Sequence, residues 1–366
     1  MKVHPSQVVA GCMIIQDVMG KTNRPIIPKN TVVHPIHMRV LNQFKVGVVE
    51  VANRLSDGSA FIPEESMEDT EVEEHKEQES PESLSQLTFQ EQYLEAVQAY
   101  KKWFEDWRGG TPVDISAVRK VMVPLLERAA QSNRDVFLLH HFSSKDDYYY
   151  HHSVAVGLLS GYIASKMNYS YGDWIQIGLA GVLSDSGMAK VEARIINKTG
   201  ALREEEFNKI RKHPTYSYRY VEKTPLLTQN AKLAILQHHE RLDGSGYPLG
   251  LQQGKIHSYS QIIAVSDMYH AMTSERTYRK KHSPFRVLEE IQKEQFGRFD
   301  HTVVQAFIKE MTNYSQGTKV KLSNNQQAAI VFVESSHPTR PMVQLEDQSI
   351  YALRDHHDLY IEEVLD

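Results

Sequence analysis

Six side chains in the middle of the chain have the types and spacing of metal ligands. His152 opens an apolar helical stripe, with Val156, Leu159 and Ile163 following at i+4, i+7 and i+11. Asp185 comes three residues after Val182, at the end of the run Ile175, Leu179, Val182, and His213 comes three after Ile210. His238 and His239 close the run Ala231, Ala234, Ile235, and Asp267 comes four after Ile263. Each therefore falls on an inward helix face, where an unpaired acid or imidazole is costly. Taken singly, a buried histidine is more often a core residue bonded to a carbonyl than a ligand. Taken together, the six satisfy one another by converging on divalent metal, for which imidazole and carboxylate are usual ligands.

A second feature follows directly on the paired histidines. His238-His239-Glu240-Arg241-Leu242-Asp243-Gly244-Ser245-Gly246-Tyr247-Pro248 matches the pattern HHExxDGxGYP at every fixed position. On this segment the chain resembles the HD-GYP family. Tyr148 to Ser153, Asn197 to Gly200 with Glu204, Glu205 and His213-Pro214, Ser266 to Tyr269, and Ser274 to Lys280 are similar to that family's flanking stretches. The likeness runs from residue 140 to 315.

The resemblance implies a mainly α, HD-domain-like helical bundle and a metal-dependent phosphodiesterase that opens cyclic di-GMP to linear pGpG, some members continuing to GMP. It implies His152, Asp185, His213, His238, His239 and Asp267 as ligands of one or two divalent ions, Fe or Mn, with Asp185 bridging them at the catalytic centre. Arg276 and Arg279 match positions that hold substrate phosphate, although a solvated basic helix end would read the same way. Gly244, Gly246, Tyr247 and Pro248 would shape the loop beside guanine and phosphate, where glycine permits close backbone approach. Glu240 would brace that loop.

The sequence departs from the family at the pair that names it. The expected LLHDIGK reads Val182-Leu183-Ser184-Asp185-Ser186-Gly187-Met188, so Ser184 stands where a metal-binding His belongs and Met188 where a Lys meets phosphate. In the family one ion takes the equivalents of His152, Ser184, Asp185 and Asp267, and the other those of Asp185, His213, His238 and His239; only the first loses a ligand. Tyr148 replaces the Glu of members with three ions, which argues against a third. Two readings stay open: a slow cyclic di-GMP phosphodiesterase, and a non-catalytic cyclic di-GMP binder that passes a signal to a partner.

The elements that must position these groups can be laid out along the chain. Residues 1–63 read as a small β module, with Val8–Val9, Ile14–Ile15 and Val46 to Val51 set among Gly, Pro and Asn turn signals. Residues 64–87 form an acidic linker in which ten Asp and Glu face the single Lys76. Residues 88–316 read as helical: Tyr93, Val97, Tyr100 and Phe104 begin the pattern, and a second helix is expected from Asp114 to Ser132. Residues 317–366 read as a second β module, with strands at Lys319–Leu322, Ala329–Val333 and Met342–Leu345.

Composition sets outer bounds. The net charge of −5 and the lack of a dense basic patch argue against duplex nucleic acid as a partner. A lone cysteine, Cys12, fits a reducing cytoplasm. No apolar run is long enough to span a membrane, and no signal-peptide cleavage pattern follows the N-terminal apolar stretch. The expected partners are cyclic di-GMP and, beyond it, a signalling protein or a second copy of the chain; the expected location is the cytoplasm.

Overall fold

The computed structural model describes residues 1–19, 25–34, 37–38, 40–41, 46–63, 87–143, 147–275 and 282–365. Nearly all of the expected acidic linker, and both Arg276 and Arg279, lie outside these residues.

The helical centre begins at α1 (Phe89–Arg108), where Thr88 and Glu91 form a reciprocal capping box. α2 (Ile115–Gln131) starts on the Asp114 carboxylate, which accepts from the Ser116 and Ala117 amides, as the sequence predicts. α3 (Tyr148–Lys166) and α4 (Tyr171–Leu183) follow, then α5 (Glu204–Ile210), α6 (His213–Val221), α7 (Gln229–Gln237), α8 (Ser258–Thr273), α9 (Pro284–Arg298) and α10 (His301–Met311). No strand of a sheet falls between residues 148 and 311 among the described residues. α3 is the axis of the bundle: it is apolar on almost every side and buried along nearly its whole length.

α3 and α4 pack unusually close because glycines face each other. A Cβ on Gly157 would lie 2.2 Å from Val182 Cγ2 and 2.9 Å from the Gly178 carbonyl, and one on Gly181 would lie 3.0 Å from the Gly157 Cα. The start of α3 carries His152 and the chain just beyond α4 carries Asp185, so this contact fixes one half of the site to the other.

The N-terminal residues form a three-stranded sheet in the order β1 (Lys2–Val3), β5 (Val49–Leu55), β2 (Cys12–Ile14), with a separate pair β3 (Val18–Met19) and β4 (Pro25–Ile27). Val8 and Val9 are not a strand, contrary to the sequence expectation. Pro5–Gln7 make a 3-10 turn, and the chain enters β2 only after Gly11, whose φ of +94° turns it back toward β5. The C-terminal residues form an antiparallel sheet in the order β10 (Ile361–Val364), β6 (Lys319–Leu322), β7 (Gln327–Phe332), β8 (Met342–Leu345), β9 (Ile350–Ala352). Its inward residues Val320, Leu322, Ile330 and Val343 join the same apolar core as the helices. Arg340 pins the sheet to α9 through Glu289 at 2.7 Å and 3.0 Å.

The glycine contact gives a stability test. Gly157→Ala should destabilise the fold by about 1–3 kcal/mol through overpacking. The expected readout is a lowered urea midpoint with an unchanged slope. An unchanged midpoint would mean that α3 and α4 do not meet as closely as drawn.

Candidate metal centre

Five structural positions bring the six sequence-predicted side chains together. His152 sits on the first turns of α3; Asp185 follows the last residue of α4; His213 is the first residue of α6; His238 and His239 follow α7; Asp267 lies within α8. The donor atoms form two groups, Asp185 with His213, His238 and His239, and His152 with Asp185 and Asp267; within each group all lie within 4.8 Å of one another. Asp185 belongs to both. Its Oδ1 faces His213 Nε2 at 3.0 Å and His238 Nε2 at 3.8 Å, while its Oδ2 faces His152 Nε2 at 3.5 Å. Asp267 closes the ring, with Oδ1 2.9 Å from His152 Nε2 and Oδ2 3.6 Å from His239 Nδ1.

The histidines are aimed by their other ring nitrogens. His213 Nδ1 donates to the Ile210 carbonyl at 2.8 Å, and His238 Nδ1 to the Ile235 carbonyl at 2.8 Å. A carbonyl can only accept, so both rings carry a proton on Nδ1, and Nε2 is the atom that each turns toward Asp185. His152 is held differently: its Nδ1 lies 3.1 Å from the Tyr148 hydroxyl and 3.0 Å from His270 Nδ1. His270, one turn beyond Asp267 and fully buried, was missed by sequence reasoning. Its i+3 spacing from Asp267 places it on the same inward face and was the available signal.

Electrostatics prepare these groups as ligands. Burial pushes the Asp185 carboxyl up, but hydrogen bonds from His213 and His238 and the charge of nearby imidazoles outweigh it and hold it well below the ordinary carboxylate value. Asp267 is lowered as well, its burial outweighed chiefly by the hydrogen bond from His152. Burial drives His239 well below the ordinary imidazole value, with His238 beside it adding to the fall. The carboxylates thus stay ionised and His239 stays neutral, the protonation states that coordinate a cation. Every ion-pair partner of Asp185 and Asp267 among the described residues is an imidazole. Buried N and O donors without a competing Lys or Arg fit a divalent ion.

The signature loop is built against this cluster. Glu240 is buried, and its two carboxylate oxygens accept from the Leu249 amide at 2.6 Å and the Leu251 amide at 2.9 Å, the bracing expected from sequence. Gly244 has a φ of +80°. A Cβ on Gly246 would lie 2.4 Å from the Arg241 nitrogen and 2.5 Å from the His239 carbonyl, so that glycine serves the loop's packing on its own chain. The Tyr247 ring lies 4.7 Å from the His239 ring, and Pro248 follows it through a cis peptide. Arg211, which sequence reasoning passed over, holds its guanidinium 5.0 Å from the centre of the Tyr247 ring and supplies a cation beside the loop.

The two departures occupy buried places. Ser184 Oγ donates to the Gly181 carbonyl at 2.8 Å, so its hydroxyl is engaged by α4. Met188 is buried in the 3-10 turn Ser186–Lys190 that follows Asp185.

Residues 128–303 match the model of an HD-domain family. A cyclic di-GMP phosphodiesterase of Pseudomonas aeruginosa is 31% identical over 236 residues, 64% of this chain and 57% of that protein. A cyclic di-GMP phosphodiesterase of Thermotoga maritima is 38% identical over 156 residues, 42% of each. A 3'3'-cGAMP-specific phosphodiesterase of Vibrio cholerae is 35% identical over 142 residues, 38% of this chain and 32% of that one. The chain spans about half the length of the curated relatives it matches. Among solved structures, an HDG"Y"P protein of Bdellovibrio bacteriovorus superposes with a TM-score of 0.51 over 84% of this chain and 97% of that one; at 12% identity the likeness is one of fold. With an HD-domain match over residues 128–303, a complete signature loop within it and phosphodiesterases of this kind as relatives, that stretch of the chain is an HD-GYP domain.

Proposed function

We propose that the chain is a metal-dependent phosphodiesterase acting on cyclic di-GMP in the cytoplasm. The observation that carries this reading is the sharing of one carboxylate, Asp185, by two groups of ligand atoms on opposite sides of it. Asp185, His213, His238 and His239 would hold one ion, and His152, Asp185 and Asp267 a second; Fe and Mn suit such donors. When bound, divalent ions supply Lewis acidity at a phosphodiester and a nucleophile at neutral pH. The chain's own residues do the rest. Asp185 and Asp267 keep the centre anionic before loading, the carbonyl-anchored His213 and His238 hold Nε2 turned inward, and the Tyr247 loop with Arg211 offers a ring and a cation to a nucleotide at the mouth. Arg276 and Arg279 are assigned to substrate phosphate on family likeness. The relatives' names support cyclic di-GMP as substrate, and 3'3'-cGAMP is the natural comparison.

The reading includes a weakened centre. The His152 group offers only three ligands, and Ser184, whose hydroxyl is bonded to Gly181, does not make a fourth. The Lys charge is missing at Met188. The ion beside His152 should therefore bind more weakly than the ion beside His213, and turnover should be slow.

Asp185→Ala should remove most bound metal and all measurable hydrolysis of cyclic di-GMP, because both groups lose their common ligand. Ser184→His with Met188→Lys should raise metal content toward two per chain and speed hydrolysis. Each restored electrostatic group is worth roughly a hundredfold or more in turnover. Ser184→His alone should raise metal content and help hydrolysis less. A double variant that gains metal yet cleaves nothing would favour the binder reading.

The protonation states add a pH test on the metal-free protein. Unfolded, His239 takes up a proton below about pH 6.5, whereas folded it stays neutral, so stability should fall as the pH drops from 7 toward 5. His151, whose imidazole burial lowers to about 4, acts in the same direction. Asp185 and Asp267 act in the same direction but in a lower pH window: their stabilisation is full above about pH 4, the unfolded value, and is lost only as the pH falls below it. Urea midpoints measured from pH 7 to 5 should decline, and His239→Gln should flatten part of that slope. A flat profile in the unmodified protein would contradict a buried neutral His239.

A further inference from the structure

We propose that the N-terminal β module braces the metal centre, through a turn at Ser56–Ser59 that holds His151, and that His151 is a positioning residue for its neighbour His152. The inference rests on the metal-centre reading above.

His151 is fully buried, and both of its ring nitrogens are engaged away from the metal ligands. Nε2 donates to the Ser56 carbonyl at 2.5 Å. The carbonyl can only accept, so the proton sits on Nε2 and leaves Nδ1 to accept from the Tyr93 hydroxyl of α1 at 3.2 Å. The same hydroxyl lies 3.2 Å from the His151 carbonyl. Successive residues on a helix point about 100° apart. The first turns of α3 therefore present His151 to the β module and His152 to Asp185 and Asp267.

The turn that meets His151 is itself clamped. Gly58 has a φ of +84°, and a Cβ there would lie 2.4 Å from the Leu94 carbonyl and 2.4 Å from Gln98 Cβ, so only glycine lets the turn lie flat on α1. Arg54 bonds the Gly58 carbonyl at 3.1 Å and the Glu95 carboxylate of α1 at 2.6 Å. Lys101 of α1 stands between Asp57 of the turn, at 4.0 Å, and Asp147, at 2.9 Å. Asp147 is the residue immediately before α3. The turn thus reaches the start of α3 by two routes, Lys101–Asp147 and His151, and the next residue along is the first ligand of the weaker metal group.

If the brace is real, metal and module stabilise each other, because the coupling between two sites is reciprocal. The test uses the full chain, with Mn2+ as the probe, and combines hydrogen exchange read by mass spectrometry with Mn2+ titration. In the unmodified protein, Mn2+ should slow amide exchange in residues 54–61. Gly58→Ala, which lies in the module, and His151→Leu should each weaken the looser class of Mn2+ binding about 10- to 100-fold, as lost outer supports of metal ligands typically do. His151→Gln, which still has an amide to donate to the Ser56 carbonyl, should recover most of the loss. The proposal is overturned if Gly58→Ala speeds exchange at residues 54–61 while both variants bind Mn2+ as the unmodified protein does. It is overturned equally if bound Mn2+ leaves that exchange unchanged. If the unmodified chain binds no Mn2+, the metal reading itself fails and the brace falls with it. Loss of binding in Asp185→Ala but not in His151→Leu would sink the brace alone.

Discussion

One carboxylate has to face two sets of imidazoles at once, and much of the bundle follows from that requirement. Asp185 leaves α4 at its last turn, and its two oxygens look toward side chains from α3 on one side and from α6 and α7 on the other. Such a position is available only where several helix ends meet. The glycines between α3 and α4 bring the first of these ends close. On the other side the backbone after Asp185 is pressed against the start of α6. A Cβ on Gly187 would lie 2.2 Å from the His213 carbonyl, the Gly187 amide donates to Ser217 Oγ at 2.7 Å, and that hydroxyl donates on to the Ser184 carbonyl at 2.6 Å. Ser217 thus ties the turn carrying Asp185 to the helix carrying His213, by bonds that satisfy buried backbone groups.

The convergence of the six side chains was legible in the sequence because each is a polar residue placed at helical spacing on an apolar face, a pattern that costs free energy unless the groups meet. The first two helices were legible from the apolar spacing of Tyr93, Val97, Tyr100 and Phe104 and from the turn residues Gly109, Gly110 and Pro112 between them, and the structure adds a side-chain cap at the start of each. What the sequence hid has equally physical causes. β9 and β10 are short edge strands, and Glu362 and Glu363 blur the alternation that would mark the latter as a strand. Arg211 acts through a tertiary contact to Tyr247 that no spacing rule announces. The turn at Ser56 was invisible for the same reason: its carbonyl meets a ring 95 residues away.

The signature loop separates into parts with different duties. Its histidines face Asp185 and Asp267, whereas Glu240, Gly244 and Gly246 serve the loop's own shape. Glu240 is a buried carboxylate whose two oxygens are met by main-chain amides nine and eleven residues on, so the loop closes back on the end of α7. Tyr247 is carried by that closure to the His239 ring. The loop's architecture therefore does not depend on Ser184 or Met188, and it stays intact beside a damaged ligand set.

That separation bears on the asymmetry of the centre. The His213 side has two rings anchored by main-chain carbonyls three residues before them in the chain, supports that are rigid and local. The His152 side gathers three ligand atoms rather than four and is held through longer side-chain relays: Tyr148 and His270 at its Nδ1, and His151 beside it. His152 and His270 face each other through Nδ1 atoms, so only one of the two can carry the proton there. When His152 presents a bare Nε2 to the ligand cluster, its proton must lie on Nδ1 and His270 must accept, which leaves the His270 Nε2 proton facing Ser274 Oγ at 3.3 Å. The weaker half of the centre thus depends on a particular arrangement of protons and on a β module outside the bundle, while the stronger half depends on helix ends alone.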